Sequence, residues 1–178
     1  MQKNYSDDSP YPPSEDTYFL EDNLFHEKGK LALDIGTGSG YLTRTLSKNF
    51  LDVIGTDIDF NSLINQNKKA KNRICCDGAE ALFCKFDLIV CNMPYLQSDS
   101  IDDRKVDGGK EGVEVPLKII QSAIRCLADS GKMLFVTSSL ANNEKLMAEA
   151  SKLGLVLKIV ARKKLFFEEL LIVEAKRP

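Results

Sequence analysis

The chain alternates between short apolar runs and segments whose apolar residues recur every three or four positions. The short runs predict strands; they are "LALDI", "DVIGTD", "RICC", "FDLIVC" and "KMLFVTS". The periodic segments predict helices; they are "YLTRTLSKN", "FNSLINQNKKAKN", "PLKIIQSAIRCLA" and "NNEKLMAEASKLG". Two further strands, "LVLKIVARKK" and "LLIVEAK", are joined without room for a helix, so one of them should be antiparallel.

Strands and helices in this order predict an α/β fold with a mostly parallel sheet and helices on both faces. An N-terminal helix over residues 14–26 should begin at Ser14, which suits an N-cap. The prolines before this helix disfavour helical structure, so residues 1–13 are expected to be an extended or disordered arm. No linker or repeat divides the chain, and residues 1–178 are predicted to form one domain.

Composition and charge narrow the possible functions. The formal net charge is -2 and the pI about 5.5, which makes a nucleic-acid partner less favoured. No apolar run approaches the roughly 18 residues of a membrane span, and the polar N-terminus lacks the apolar core of a signal peptide, so we expect a cytoplasmic protein without a membrane association. With one histidine and no CxxC pair, no metal site is expected.

A glycine-rich turn, "GTGSG", joins the first predicted strand to the first helix after it. Gly36, Gly38 and Gly40 would let the backbone approach a ligand closely, with Thr37 between them; a tight turn alone is the other interpretation. In an open α/β sheet this crevice is the usual ligand site. Asp34 precedes the turn and could bind its amides or an ammonium group, or serve the structure only.

Two more strands end in carboxylates beside this turn. Asp57, followed by Ile58, could accept the ribose hydroxyls of a nucleoside, whereas Asp59 is expected to cap the next helix. Asp77, followed by Gly78, could accept from an adenine amino group or simply form a turn. Successive carboxylates favour a nucleoside that carries positive charge, and S-adenosylmethionine, with its sulfonium and ammonium groups, fits that description.

The fourth predicted strand ends in Asn92-Met93-Pro94-Tyr95. This tetrapeptide resembles the (N/D/S)PP(Y/F/W) motif of methyltransferases that act on planar amino groups, with Met93 where proline is usual. The resemblance implies that the Asn92 side-chain oxygen and the carbonyl of Met93 accept the N–H groups of a flat amide or amine. Tyr95 would stack on that group and Pro94 would stiffen the turn.

The resemblance extends from about Tyr11 to near the C-terminus. "YPPSEDTYFL" and "GGKEGVEV" are similar to segments of the HemK-like release-factor glutamine methyltransferases, in the archaeal and eukaryotic branch. This implies a class I, Rossmann-like sheet of seven strands with an antiparallel C-terminal strand, and Glu15, Asp16 and Thr17 closing over the cofactor. It also implies methylation of the glutamine in the Gly-Gly-Gln loop of a class-1 peptide chain release factor. Members of this branch commonly work with a small zinc-binding activator subunit.

Several alternatives stay open at this point. The same tetrapeptide serves adenine or guanine amino methyltransferases of DNA or RNA, and a non-catalytic, cofactor-binding subunit of a heterodimer or a dehydrogenase would also use this fold. The segment 97–112 is polar and could be a solvated loop or a lid over substrate. "RICCDG" could be an edge strand that pairs with an activator or an ordinary edge, and "ARKKLFFEE" could be a turn or a basic patch.

Overall fold

A central sheet flanked by helices forms the fold, and the computed structural model describes it over residues 12–66 and 72–178. Within these ranges the helices are α1 (Glu15–Asp22), α2 (Tyr41–Leu46), α3 (Phe60–Asn65), α4 (Glu114–Ile124) and α5 (Asn143–Lys152). The strands are β1 (Gly29–Ile35), β2 (Phe50–Asp57), β3 (Asn72–Cys75), β4 (Phe86–Asn92), β5 (Leu96–Gln97), β6 (Asp107–Gly109), β7 (Leu127–Ser138), β8 (Val156–Lys164) and β9 (Glu169–Lys176).

The large sheet has seven strands in the order β3-β2-β1-β4-β7-β9-β8. Strands β3, β2, β1, β4 and β7 pair in parallel, and β9 pairs antiparallel with both β7 and β8. The predicted Rossmann-like sheet with an antiparallel C-terminal strand is therefore confirmed. Because β8 runs parallel to β7, the turn between β8 and β9 lies at the same edge as the carboxyl ends of the parallel strands.

Two apolar clusters cover the two faces of the sheet. Alternate residues of β1 and β4 point into them: Leu33 and Ile89 belong to one cluster, and Ala32 and Leu88 to the other. The first cluster packs against α4 and α5, and the second against α1 and α2. The sheet is thus buried on both sides, as the continuous apolar run in β4 indicates.

The predicted helices are shorter in the structure; α2, for example, ends at Leu46. Helix α1 ends at Asp22, and turns follow it through 26. Helix α3 ends at Asn65 because Gln66 is extended and its side chain donates to the carbonyl of Gly38, 2.8 Å away; residues 67–71 of the predicted helix lie outside the described residues. Helix α4 ends at Ile124, since Leu127 already pairs with the start of β4.

The segment 97–112 contains short regular elements of its own. Strand β5 pairs in parallel with β6, and a 3-10 helix (Lys110–Gly112) leads into α4. The side chain of Asp107 accepts from the amides of Asp102 and Asp103 at 2.9 and 2.7 Å. Sequence periodicity missed this order, because it depends on the contact of one backbone segment with another.

The N-terminal arm is described only from residue 12, so its predicted conformation over residues 1–11 lies outside the described residues. Ser14 stands at the N-cap of α1, but its hydroxyl donates to the Asp16 carboxylate, 2.5 Å away, instead of capping the helix. In residues 12–66 and 72–178, none of the helices combines the length and apolar character that crossing a membrane requires.

Candidate active site

A cavity of about 570 Å³ opens at the carboxyl ends of β1, β2 and β4. This size lies within the range of small-molecule sites, roughly 300–1,000 Å³. The cavity brings together most of the residues assigned to the cofactor or to catalysis from the sequence. Those that line it are Thr17, Asp34, Gly36, Thr37, Gly38, Asp57, Ile58, Asp77, Gly78, Asn92 and Pro94.

The glycine turn forms one wall of the cavity. Gly36, Gly38 and Gly40 have φ angles of 70°, 48° and 73°, a left-handed conformation that favours glycine. The amide of Gly36 donates to the carbonyl of Thr56 at the end of β2, 2.8 Å away. A Cβ atom on Gly36 would meet nothing within 4 Å, so the turn leaves open space in front of it. The geometry suits a ligand that lies directly against the backbone.

Asp57 is held beside the glycine turn by two backbone amides. Gly38 donates to Oδ2 at 2.8 Å and Asp59 donates to Oδ1 at 2.9 Å. Burial nonetheless raises the pKa of Asp57 above its ordinary value. Asp59 caps α3 by accepting from the amides of Asn61 and Ser62, each at 3.0 Å, which confirms the expected cap. Both carboxylates line the cavity, and Asp59 is the one that caps a helix.

Asp34 carries the most strongly perturbed carboxyl group of the cavity. It is buried, and burial raises its pKa from 3.8 to about 6 even though the Thr43 hydroxyl donates to Oδ2 at 2.6 Å. Its second oxygen, Oδ1, is buried and has no hydrogen-bond donor among residues 12–66 and 72–178. A buried acceptor without a donor favours a ligand that brings an N–H group or positive charge.

The third carboxylate, Asp77, lies on the opposite wall. Its residue is exposed, and it borders the cavity together with Gly78 and Ile119 of α4. Gly78 has a φ of 53°, and a Cβ atom there would lie 2.3 Å from the Ser122 hydroxyl. The glycine thus allows β3 and α4 to close this wall, while Asp77 remains accessible from the cavity.

A chain of hydrogen bonds fixes the orientation of the Asn92 carboxamide. The Thr17 hydroxyl donates to the buried carboxylate of Asp16 at 3.2 Å and accepts from Asn92 Nδ2 at 3.2 Å. Because the Thr17 proton is used on Asp16, its oxygen needs a donor, and the amide end of Asn92 supplies it. Asn92 Oδ1 therefore points away from Thr17; it is buried and lacks a donor among the described residues.

The rest of the tetrapeptide anchors this carboxamide. The Met93 side chain is 2% exposed and packs in the first core cluster. Core packing thus fixes this position, where proline would fix it by the rigidity of its ring. Pro94 is buried and lines the cavity. Tyr95 is half-buried, packs against the second core cluster and is not among the lining residues. Its predicted stacking on a flat substrate group stays a prediction.

The N-terminal segment contributes less directly than the resemblance implies. Thr17 lines the cavity, Asp16 lies behind it, and Glu15 forms an ion pair with Lys163 of β8 at 2.6 Å, outside the lining. The cavity is also lined by residues that the sequence analysis did not assign to it. They are Pro13, Ile35, Ser39, Tyr41, Leu42, Thr56, Asp59, Ser62, Cys76, Cys91, Ile101, Asp103, Arg104, Lys105, Val115, Lys118 and Ile119.

Neither a metal centre nor a reactive thiol emerges from the described part of the chain. No group of three His, Cys, Asp or Glu side chains in it is arranged to hold a metal ion. Cys91 borders the cavity, but burial, with Asp34 and Asp57 nearby, raises the pKa of its thiol far above the ordinary value. The thiol therefore stays protonated. The polar lining of the cavity consists of carboxylates, a carboxamide, hydroxyls and backbone groups, together with the cations Arg104, Lys105 and Lys118.

These atoms fit S-adenosylmethionine. The cavity offers two buried acceptors that lack donors, on Asp34 and Asn92, and two carboxylates whose pKa values are raised by burial, on Asp34 and Asp57. A cationic nucleoside would bring a donor to Asp34 and offset the buried negative charge, which leaves the Asn92 acceptor for a second molecule. Asp57 would accept from the ribose hydroxyls, and Asp34 would lie nearest the ammonium group. Asp77 and Ile58 would contact the adenine.

Comparison with known proteins also indicates a methyltransferase. The family described as methyltransferase small domain matches residues 14–167. A chain of Methanocaldococcus jannaschii assigned as a protein N5-glutamine methyltransferase is 32% identical over 182 residues, which cover 94% of this chain and 91% of that one. A release factor glutamine methyltransferase of Streptococcus pneumoniae is 29% identical over 145 residues, 70% of this chain and 51% of that protein.

Among solved structures, the E. cuniculi Mtq2–Trm112 complex, responsible for methylation of the translation termination factor eRF1, is similar with a TM-score of 0.82. The identity is 26%, and the match covers 96% of this chain and 99% of that one. This chain spans about half the length of the Streptococcus protein and nearly all of the other two relatives. The matches confirm the predicted HemK-like methyltransferase, and the chain belongs to the methyltransferase small domain family.

Proposed function

We propose that this chain is a protein-glutamine N5-methyltransferase whose substrate is the glutamine of the Gly-Gly-Gln loop of a class-1 peptide chain release factor. The observation that carries the proposal is the Asn92 carboxamide oxygen, which is buried at the cavity without a donor and is held there through Thr17. A glutamine amide presents the N–H groups that such an acceptor lacks. The names of the Methanocaldococcus, Streptococcus and E. cuniculi relatives support the same acceptor.

S-adenosylmethionine, when bound, supplies an electrophilic methyl group. The residues of this chain prepare the acceptor. Asn92 Oδ1 and the Met93 carbonyl accept the two N–H groups of the amide, which orients the nitrogen and increases its electron density. Burial of Met93 and Pro94 keeps both acceptors in place before the substrate arrives. No side chain with strong basicity is required, because the amide proton leaves only after the nitrogen has acquired the methyl group.

The test is methyl transfer from tritiated S-adenosylmethionine to purified release factor, with DNA and tRNA as parallel acceptors. Asn92→Ala should lower the rate about a hundredfold or more, as loss of a positioned acceptor does, while the donor still binds. Asn23→Ala is the matched control, because the Asn23 amide donates to the carbonyl of Phe19 in α1, away from the cavity.

Each result has a clear meaning. Label on tRNA or DNA instead of the factor would assign the protein to nucleic-acid methylation. Donor binding without transfer to any acceptor would make the chain a cofactor-binding subunit. Wild-type rates for Asn92→Ala would overturn the catalytic role of the carboxamide.

We further propose that a small zinc-binding activator subunit pairs with the edge strand β3. Among residues 12–66 and 72–178, no strand pairs with the outer side of β3, and Ile64 of the adjacent α3 is 57% exposed. The E. cuniculi neighbour is a complex with Trm112, which supports a partner of this kind. A translation factor as substrate also favours a cytoplasmic protein.

The partner is tested by co-expression with the host's small zinc-binding protein and size-exclusion chromatography. The two chains should elute together, and Ile64→Asp should separate them, whereas Val156→Asp at the opposite edge strand, 59% exposed in the wild type, should not. A chain that elutes as a monomer and methylates the factor at full rate alone would contradict the proposal.

A further inference from the structure

Two exposed aromatic rings stand on the turn between β8 and β9. Phe166 and Phe167 are 91% and 86% exposed, and their rings lie edge to face with centroids 4.6 Å apart. Together with Leu140, 42% exposed on the turn before α5, we call them the rim surface. Contiguous exposed apolar patches of a few hundred Å² are often binding sites.

The rim surface is joined to the active site by backbone contacts. The Ser138 hydroxyl donates to the Glu168 carboxylate, and the amide of Glu169 donates to the Ser139 hydroxyl at 2.9 Å, so the β8–β9 turn is bound to the end of β7. From there, the amide of Asn142 donates to the carbonyl of Glu111 at 2.9 Å.

The next residue completes the connection to the tetrapeptide. A Cβ atom on Gly112 would lie 2.3 Å from the carbonyl oxygen of Tyr95 and 2.9 Å from Ala141, so the segment that follows Glu111 touches both. The rim surface, the turn before α5, the glycine-rich segment and the catalytic tetrapeptide are therefore one continuous edge of the molecule.

The chemistry of the rim surface favours a protein over a nucleic acid. Arg162 and Lys163 of β8 are engaged in ion pairs with Glu169 and Glu15, at 2.8 and 2.6 Å. The two rings pack at 77° to each other, which offers an apolar projection instead of two parallel faces for bases.

Its size favours a supporting contact over a stable dimer. Two phenylalanine side chains bury roughly 300–500 Å² together, well below the approximately 1,200 Å² of a standard protein interface. A patch of this area adds usefully to binding only when another contact already holds the partner nearby. The active site on the same edge provides that contact.

We infer that the rim surface docks the body of the release factor, outside the loop that enters the active site. This rests on the proposed function, and it assigns Phe166 and Phe167 to recognition of the protein substrate instead of to chemistry. An apolar patch of the factor would pack on the two rings while the glutamine reaches Asn92. Specificity for a folded protein over a free glutamine amide would then depend on this turn.

The test compares the wild type, the double variant Phe166→Ala/Phe167→Ala and Phe83→Ala, with the activator present if methylation needs it. Phe83 is the matched control, since it is 88% exposed but precedes β4 at the opposite edge of the sheet. The measurements are the KM and kcat for the release factor, donor affinity by calorimetry and size-exclusion chromatography. The double variant should raise KM for the factor about tenfold, with kcat and donor affinity unchanged, and Phe83→Ala should behave as wild type.

Equal KM values for the double variant and the wild type would overturn the docking role, even with the wild type active on the factor. A wild type that binds the donor but does not methylate the factor would overturn the proposed function instead, and the docking role with it. A shift from dimer to monomer in the double variant, with KM unchanged, would assign the rings to self-association and refute docking of the factor.

Discussion

At the scale of single residues, the site depends on how two buried acceptors are oriented and charged. The Thr17 hydroxyl connects the Asp16 carboxylate to the Asn92 amide. Thr17→Val keeps the side-chain shape but removes the acceptor for Asn92 Nδ2, so the carboxamide can rotate. We expect kcat to fall about tenfold, as loss of one hydrogen bond would give, with little change in donor affinity.

Rescue and a matched variant separate orientation from simple destabilisation. Thr17→Ser restores the hydroxyl and should recover most of the rate. Thr45→Val removes a comparable hydroxyl that donates to Glu21 at 2.7 Å, away from the cavity lining, and should leave kcat unchanged. If Thr17→Val retained the wild-type kcat, the orienting role of Thr17 would be excluded.

Asp34 makes the pH dependence of stability predictable. Its folded-state pKa of about 6 is above the ordinary 3.8, so the folded protein binds the proton more tightly than the unfolded chain. The buried charge therefore opposes folding above pH 6, and this penalty disappears as the pH falls from about 6 to 4. Asp34→Asn should stabilise the protein at pH 8 by up to about 3 kcal/mol and lose that advantage near pH 4.

Urea unfolding of both proteins between pH 4 and pH 8 measures this difference. Donor binding should be weaker in Asp34→Asn above pH 6, where the wild-type carboxylate is charged, so stability and binding change in opposite directions there. A difference in unfolding free energy that does not vary with pH would show that Asp34 is not the titrating group.

At the scale of elements, the glycine-rich segment supports the catalytic tetrapeptide. Gly112 has a φ of 68°, and a Cβ atom there would lie 2.3 Å from the Tyr95 carbonyl. Beside it, Glu111 has a φ of 60°, the one positive φ at a non-glycine position in residues 12–66 and 72–178. Strain of this kind persists where surrounding contacts hold it. We interpret the segment as a support pressed against the turn that carries Asn92.

Gly112→Ala should therefore affect catalysis as well as stability. Gly154→Ala is a matched control, because Gly154 has a φ of 83° but its Cβ atom would meet nothing within 4 Å. Both variants should lose about 1 kcal/mol of stability from the unfavourable φ. Only Gly112→Ala should also lower kcat, by about tenfold, through displacement of the tetrapeptide. Equal kcat values for the two variants, measured at a temperature at which thermal melts show both to be folded, would contradict the support role.

The sequence predicted those features that depend on local pattern. The mostly parallel sheet followed from the alternation of apolar runs and helices, and Asp57, Asp77 and Asn92 could be placed at one site because parallel strands end at one edge. The sequence did not predict features that depend on contacts between segments far apart along the chain. Gln66 ends α3 by bonding to Gly38, which no propensity encodes.

The segment 97–112 is a second case of this kind. It looked irregular because β5 and β6 are short and are ordered by backbone contact with the tetrapeptide. The Asp16–Thr17–Asn92 chain was hidden for the same reason, since its members are up to 76 positions apart, counted from 92 to 16. The resemblance placed Asp16 and Thr17 near the cofactor, and only the structure separates their roles.

At the scale of the whole molecule, donor binding is coupled to folding, because the cavity is assembled from α1, the carboxyl ends of β1, β2 and β4, the segment after β3 and α4, which are far apart along the chain. Thr17, Asp57, Asp77 and Asn92 meet there only in the folded chain. A ligand that binds the folded state alone stabilises it by about 2.7 kcal/mol at a hundred times its dissociation constant. For a chain of 178 residues this corresponds to a rise in Tm of roughly 5–10 °C.

Scanning calorimetry with S-adenosylmethionine should show this rise at pH 8, and NAD should produce none, since the carboxylates of Asp34 and Asp57 line the cavity with the glycine turn and would repel a pyrophosphate. The rise in Tm should shrink below pH 6, because protonation of Asp34 in the free protein removes the charge that a cationic donor needs. Donor affinity therefore falls as the pH drops through the pKa of about 6.

Asp57→Ala should abolish the rise in Tm both at pH 8 and below pH 6, because it removes the proposed ribose acceptor. Asp52→Ala, which removes an exposed carboxylate on the same strand, should retain the rise. A rise in Tm that does not depend on pH would show that donor binding does not need the Asp34 carboxylate. An equal rise with NAD would show that the cavity is a dinucleotide-binding site.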